Sequence, residues 1–186
     1  MTLPSVVFLD RDGTIIHDAH YIARPEQVLL LDGAAEAIAQ LNRAKIPVIL
    51  ITNQSGIARG YLTVADYERV HARLTELLAQ YNAHLDAAYY CPHDPDNIPP
   101  CSCRKPAPLL FQQAIKEHQL DPSRSISVGD RWRDLAPAIA LGGTGILIPS
   151  PDTPPVDIIH AEREASVCAS ISIAVSQLIS TSLKPI

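Results

Sequence analysis

The stretch VVFLDRDGT, residues 6–14, joins an unbroken apolar run to two carboxylates two positions apart. A short, β-branched run with no apolar–polar alternation suits a strand buried on both faces, the environment of a parallel sheet. Asp10 ends that run abruptly. The same pattern returns twice: residues 47–51, PVILI, stop at Thr52-Asn53-Gln54, and residues 125–128, SISV, stop at Gly129-Asp130. Ligands of open α/β sheets bind beyond the carboxyl ends of the strands. Three strands finishing in Asp10 and Asp12, in Thr52 and Asn53, and in Asp130 therefore place carboxylates and a hydroxyl in one crevice.

Helical periodicity fills the gaps between these runs. Asp32 is placed to cap a helix over 34–44, and Thr63 with Asp66 three residues on resembles a capping box. Behind that box Val64, Tyr67, Val70, Leu74, Leu77, Leu78 and Tyr81 recur at three- and four-residue steps, on one helical face. Helices are also expected over 108–118 and 135–141, a strand over 144–148 and a proline-rich link over 149–155. An edge strand over 166–168 and a closing helix over 171–179, capped by Ser170, complete the pattern. Strands alternating with helices predict an α/β fold, a doubly wound, Rossmann-like parallel sheet, with residues 1–186 in a single domain.

Composition narrows the function. Hydrophobic residues make up 47% of the 186-residue chain, ordinary for a globular protein. The formal charge is −5 and no lysine or arginine block occurs, so nucleic-acid binding lacks its electrostatic footprint. No apolar run is long enough to span a bilayer. The start, MTLPSVVFLD, has no basic segment before its apolar run and so is not a signal peptide. The expectation is a cytoplasmic protein with no membrane partner.

Three of the four cysteines crowd into YYCPHDPDNIPPCSCRKP, residues 89–106. Clustered cysteines without a secretion signal point to metal rather than disulfides. Cys91, His93, Cys101 and Cys103 supply three thiolates and one imidazole, a closed tetrahedral set for structural Zn²⁺. Pro95, Pro99 and Pro100 limit the freedom of the unfolded loop and reduce the entropy lost on closure. Cys168, in the apolar tail, reads as a small core residue.

Asp10 and Asp12 are close enough to divide labour, one attacking as a nucleophile beside a divalent cation while the other shuttles a proton. Gly13 lets the chain turn sharply after the strand. The bland alternative, two aspartates that merely cap a turn, is weakened by Lys105 and Asp130 downstream. The motif Asp10-Arg11-Asp12-Gly13-Thr14, with Ile51-Thr52-Asn53, Lys105-Pro106 and Gly129-Asp130, resembles the haloacid dehalogenase (HAD) phosphatase superfamily. The run TNQSGIARG, residues 52–60, and the cysteine loop ending in Arg104-Lys105-Pro106 narrow the likeness. Together they resemble the D-glycero-D-manno-heptose-1,7-bisphosphate 7-phosphatases, relatives of histidinol-phosphate phosphatase domains, over roughly residues 6–149.

That resemblance implies a set of roles. Asp10 would attack phosphorus, and Asp12 would protonate the leaving oxygen and then activate water. Mg²⁺ would bind the Asp10 and Asp130 carboxylates and the Asp12 backbone carbonyl, few ligands being enough for an ion that keeps its waters. Thr52 and Lys105 would hold phosphoryl oxygens, with Asp134 in support or as a helix cap. Asp18, His20, Tyr21, Asn53, Gln54 and Ser55 would contact the sugar, and Arg104 the distal phosphate or sugar. In those phosphatases a lysine commonly follows the aspartate of the fourth motif. Here Arg131 stands there, keeping the charge but replacing a point donor with a planar fork. The chain has no room for the cap domain common in the superfamily, so the fold is expected to be capless, with the zinc loop 91–103 shaping the pocket. The implied activity is Mg²⁺-dependent removal of the 7-phosphate of a heptose bisphosphate by a monomer, in the making of nucleotide-activated heptose for surface polysaccharide. Its rivals are a histidinol-phosphate phosphatase, a non-catalytic zinc-bearing scaffold and a nucleic-acid 3′-phosphatase.

Overall fold

A computed structural model describes residues 3–96 and 99–182. Two positions of the cysteine loop, Asn97 and Ile98, and the two chain ends lie outside the described residues. The expected runs form strands β1 (Val6–Leu9), β2 (Val48–Asn53) and β4 (Ser125–Gly129), joined by β3 (Ala87–Cys91), β5 (Thr144–Leu147) and β6 (Ser166–Val167). All pair in parallel, in the order β3-β2-β1-β4-β5-β6. The chain winds outward from β1 in both directions, so the order reverses between β1 and β4 and opens a crevice there.

Helices α1 (Ala34–Arg43), α2 (Val64–Ala79), α3 (Leu109–Glu117), α4 (Trp132–Ala140), α5 (Pro155–Glu164) and α6 (Ile171–Ser182) cover the sheet. Alternation along the strands divides the core between the two faces. Val7, Leu9, Val48 and Leu50 join one cluster with α1, α2 and α6 residues such as Ile38, Leu74 and Val175. Val6, Phe8, Ile49 and Ile51 join the other, with Leu110 and Phe111 of α3 and Ala138 of α4. Burial on both faces is why these strands read as continuous apolar runs.

Several local expectations change. Helix α1 is preceded by Gly33 in the left-handed region (φ 74) with no side-chain cap, so Asp32 is not its N-cap. Helix α4 begins at Trp132, three residues earlier than its apolar pattern, because the Asp134 carboxylate accepts the Arg131 amide and closes the first turn. The proline-rich link runs straight into α5, with Pro155 at its first position, where the missing N–H costs nothing. Strand β3, AAYYC, carries small and aromatic residues only partly buried until Cys91, and so lacks the β-branched signature of the other strands. The Thr63–Asp66 box is present: each residue's backbone N–H donates to the other's side chain.

Candidate active site

The carboxyl ends of β1, β2 and β4 deliver Asp10, Thr52 and Asp130 to a cavity of about 370 Å³. After Leu9 the chain curls: the Arg11 carbonyl accepts the amides of Ile15 (2.9 Å) and Ile16 (3.1 Å). Gly13 sits at φ +76, and a Cβ there would come within 2.5 Å of Asp130 Oδ2. Glycine thus lets the turn after β1 lie directly against the carboxylate after β4.

Lys105 forms the centre of the floor. Its ammonium, 2% exposed, reaches Asp10 Oδ1 (2.7 Å) and Asp134 Oδ1 (2.8 Å) and donates to the Ile51 carbonyl (2.7 Å). Burial works to lower the Lys105 pKa, but Asp10 and then Asp134 outweigh it and hold it above the ordinary value. Asp10, Asp130 and Asp134 bring ligand atoms within 4.8 Å of one another. One ammonium cannot neutralise three carboxylates. Burial, followed by Asp10 and Asp134, pushes Asp130 up to about 7, against the opposing hydrogen bond from Ser150 Oγ (2.8 Å). A buried, over-charged acidic cluster with oxygen donors suits a hard divalent cation such as Mg²⁺.

Asp12 projects beside this floor, its side chain 21% exposed. Arg11 Nε and Nη2 each stand 3.1–3.2 Å from both Asp12 oxygens. Gln54 Nε2 donates to Asp12 Oδ2 (3.0 Å) and to Thr52 Oγ1 (2.9 Å), while its Oε1 accepts from Arg11 Nη2 (3.0 Å). Burial raises the Asp12 pKa, with Arg11 pulling the other way.

The walls are tied to this floor. Asn53 brackets Lys105, donating from Nδ2 to its carbonyl (3.2 Å) and accepting its amide at Oδ1 (3.0 Å). The Gln54 amide donates to the Cys91 carbonyl (2.7 Å), joining the loop after β2 to the cysteine loop. At the rim Arg59 links three segments, donating to Asp94 Oδ2 (2.6 Å) and to Tyr21 Oη (2.8 Å). Arg104 and Arg133 both line the cavity. Burial, then the nearby Arg133, lowers the Arg104 pKa, and its Nη1 is buried with no hydrogen-bond partner among the described residues.

Cys91, His93, Cys101 and Cys103 converge with no disulfide. Cys91 Sγ lies 3.1 Å from Cys103 Sγ, 3.5 Å from Cys101 Sγ and 3.6 Å from His93 Nδ1. A zinc tetrahedron with Zn–S of about 2.3 Å and Zn–N of about 2.0–2.1 Å has edges of about 3.5–3.8 Å. The donor set fits that ion in kind and closely in spacing. Cys91 pairs with Asn53 across the β2–β3 ladder, so the cluster stands beside the crevice.

The expected residues Asp10, Asp12, Asp18, His20, Tyr21, Thr52, Ser55, Arg104, Lys105, Asp130 and Arg131 all line the cavity. Asn53 and Gln54 line it too, but with amides engaged by protein as described. Arg131 Nε is held by Asp157 Oδ2 at 3.1 Å. Arg11, Arg59, Arg133, Ser150 and Thr153, whose hydroxyl donates to the Asp130 carbonyl (2.7 Å), were not anticipated. The basic residue three positions after Asp130, in GDRWRD, was the available signal for Arg133, while the link 149–155 offered none for Ser150 and Thr153.

The haloacid dehalogenase-like hydrolase family matches residues 17–142. The chain is 39% identical over 137 residues to the D-glycero-beta-D-manno-heptose-1,7-bisphosphate 7-phosphatase of Pasteurella multocida, covering 72% of this chain and 74% of that protein. The enzyme of the same name from Pseudomonas putida is 40% identical over 144 residues, covering 77% and 81% respectively. Among solved structures, the D,D-heptose 1,7-bisphosphate phosphatase of B. bronchiseptica, complexed with magnesium and phosphate, superposes with a TM-score of 0.85 at 31% identity, over 97% of this chain and 99% of that one.

Proposed function

The chain belongs to the haloacid dehalogenase-like hydrolase family, and on that footing we propose that it removes the 7-phosphate of D-glycero-D-manno-heptose 1,7-bisphosphate. The observation that carries the reading is the convergence of Asp10, Asp12, Thr52, Lys105 and Asp130 on one crevice, in a chain about 40% identical to enzymes of that name.

Asp10 attacks phosphorus, forming an Asp10 Oδ–P bond as the bond from phosphorus to the sugar oxygen breaks. The electron pair stays on the departing oxygen, which takes the proton from Asp12. Asp12, now a carboxylate, removes a proton from water as that water attacks the phosphoaspartate. Inorganic phosphate leaves, and Asp10 and Asp12 return to their starting states. Thr52 and Lys105 hold the phosphoryl oxygens as charge redistributes. Asn53 holds the Lys105 backbone in register with β2. The Asp10 and Asp130 carboxylates and the Asp12 carbonyl hold Mg²⁺, which when bound shields a carboxylate nucleophile from an anionic phosphoryl group.

Arg104 and Arg133 take the distal phosphate: both face the cavity, and no ion pair in the described residues engages Arg104. Arg131, already paired with Asp157, is left as a lesser contact. Asp18, His20, Tyr21 and Ser55 form the wall along which the sugar lies. Zn²⁺ in the cysteine cluster fixes the loop that ends in Arg104 and Lys105. Residues 1–186 act as one catalytic domain, a monomer in the cytoplasm, supplying nucleotide-activated heptose synthesis. Among the described residues no helix is long and apolar enough to cross a membrane.

Phosphate release from both anomers of the heptose bisphosphate, set beside histidinol phosphate, tests the reading. A heptose anomer is expected to have the highest kcat/KM. A preference for histidinol phosphate moves the assignment to that activity.

A further inference from the structure

Arg11 is the largest fully buried side chain of the described residues, 1% exposed, and the mechanism above gives it no task. Sealing a guanidinium is costly, and an apolar residue of similar volume often stabilises a core as well or better. Arg11 gains only partial compensation. Its Nη1 has no hydrogen-bond partner among the described residues, and its remaining support is the Tyr67 ring, 5.7 Å from the guanidinium carbon. The rest of its fork is directed at one carboxylate, Asp12, and one amide, Gln54.

The amide is fixed in turn. Arginine only donates, so the Gln54 atom it meets is Oε1, which leaves both Nε2 hydrogens for Asp12 and Thr52. Asp12 therefore receives donors from two side chains while keeping one side open to the crevice. The crevice is walled by loops, and no separate folded unit lies between β1 and α1 or between β2 and α2. A partly exposed carboxylate there has no lid to orient it.

We propose that Arg11 and Gln54 are positioning residues for Asp12, holding its carboxylate in the orientation from which it protonates the leaving oxygen. The inference rests on the phosphatase reading above. General acid catalysis contributes about 10²–10⁴-fold, and a misplaced group forfeits about 10²-fold. That loss depends on the leaving group. A sugar alkoxide needs the proton, whereas p-nitrophenolate departs without it.

The test is the single-turnover rate at saturating substrate, for heptose 1,7-bisphosphate and for p-nitrophenyl phosphate, in wild type, Gln54→Leu and Arg11→Lys. The heptose rate is expected to fall about 10²-fold in each variant, with the nitrophenyl rate falling far less and KM for the heptose moving little. Equal depression of both rates means a merely structural role and overturns the proposal. So does a change confined to KM for the heptose, which makes Gln54 a sugar contact. Gln54 is buried but follows β2 in a loop and belongs to no apolar cluster, so Gln54→Leu decides the matter if Arg11→Lys does not fold. In either of those outcomes an active wild type leaves the phosphatase reading standing. A wild type that turns over neither ester removes both.

Discussion

Asp10, Asp130 and Asp134 come from the ends of two strands and the first turn of a helix, whereas Cys91 at the end of β3 and His93, Cys101 and Cys103 in the loop that follows it lie within one short segment, residues 91–103. The acidic cluster exists only when the whole sheet is assembled, and it keeps a face toward a cavity. The thiol cluster is local, and its four donors close on one another. Long-range assembly gives a site whose charge can be altered while the scaffold stands. Local closure gives one whose loss releases the segment carrying Arg104 and Lys105. Activity and stability are therefore expected to fail separately in the two places.

Asp10→Asn is the sharpest way to break that contrast. Turnover is expected to drop to background, on the order of 10⁶-fold when a nucleophile acting within a catalytic unit is removed. The circular dichroism spectrum and melting temperature are expected to stay near wild type. Steady turnover by the folded variant removes Asp10 as nucleophile.

Cys101→Ser is the converse. Structural zinc is worth on the order of 10 kcal/mol in small zinc peptides, and the surrounding sheet retains part of that here. Melting is expected to fall by about 10 °C or more, at about 2–4 °C per kcal/mol for a chain of this size. Elemental analysis of the wild type is expected to give one zinc per chain. Full stability in a zinc-free wild type contradicts a structural role.

Arg104→Ala sharpens the contrast from the point where the two regions meet. Loss of a charged hydrogen bond costs about 1.5–3 kcal/mol, so KM for the heptose bisphosphate is expected to rise by about 10- to 150-fold. p-Nitrophenyl phosphate, lacking a second phosphate, is expected to change little. An equal loss for both substrates assigns Arg104 to the reacting phosphate or to loop stability.

The smallest effect is on pH dependence. Asp130 is held near 7 in the metal-free fold, above its unfolded value of 3.8, by burial and the carboxylates beside it. The folded state therefore binds more protons across that window, and metal-free stability is expected to decline as pH rises from about 4 to 7. Mg²⁺ is expected to reverse the trend, stabilising by a few degrees more at pH 8 than at pH 5. A melting temperature flat across the window in chelator argues against the raised carboxylate.

What could be read in the sequence follows the same local and long-range division. The cysteine loop was legible because its donors are neighbours in the chain. The crevice was legible because three buried strands each stop at a polar residue, a signal carried by position in the fold rather than by spacing. Asp134 was half legible: its Oδ2 accepts the Arg131 amide as a helix cap does, while its Oδ1 meets Lys105. The engagement of Asn53 and Gln54 was hidden, since side-chain amides look alike whether they face a ligand or a neighbouring loop. Arg11 was hidden for a related reason. Nothing in DRDGT says whether its basic residue is solvated or sealed beneath a carboxylate.

The Arg59 latch has a consequence for ionic strength. Its guanidinium is 31% exposed, and its partners Asp94 and Asp96 are 23% and 89% exposed. Lys105 and Asp10, at 2% and 7%, are almost sealed. Counter-ions screen exposed pairs far more than buried ones, and near 1 M salt the screening length is about 3 Å. Rising salt therefore loosens the mouth of the crevice while the floor keeps its geometry. Because Arg59 also holds Tyr21 on the sugar-side wall, discrimination between substrates is expected to fail in brine before the chemistry does.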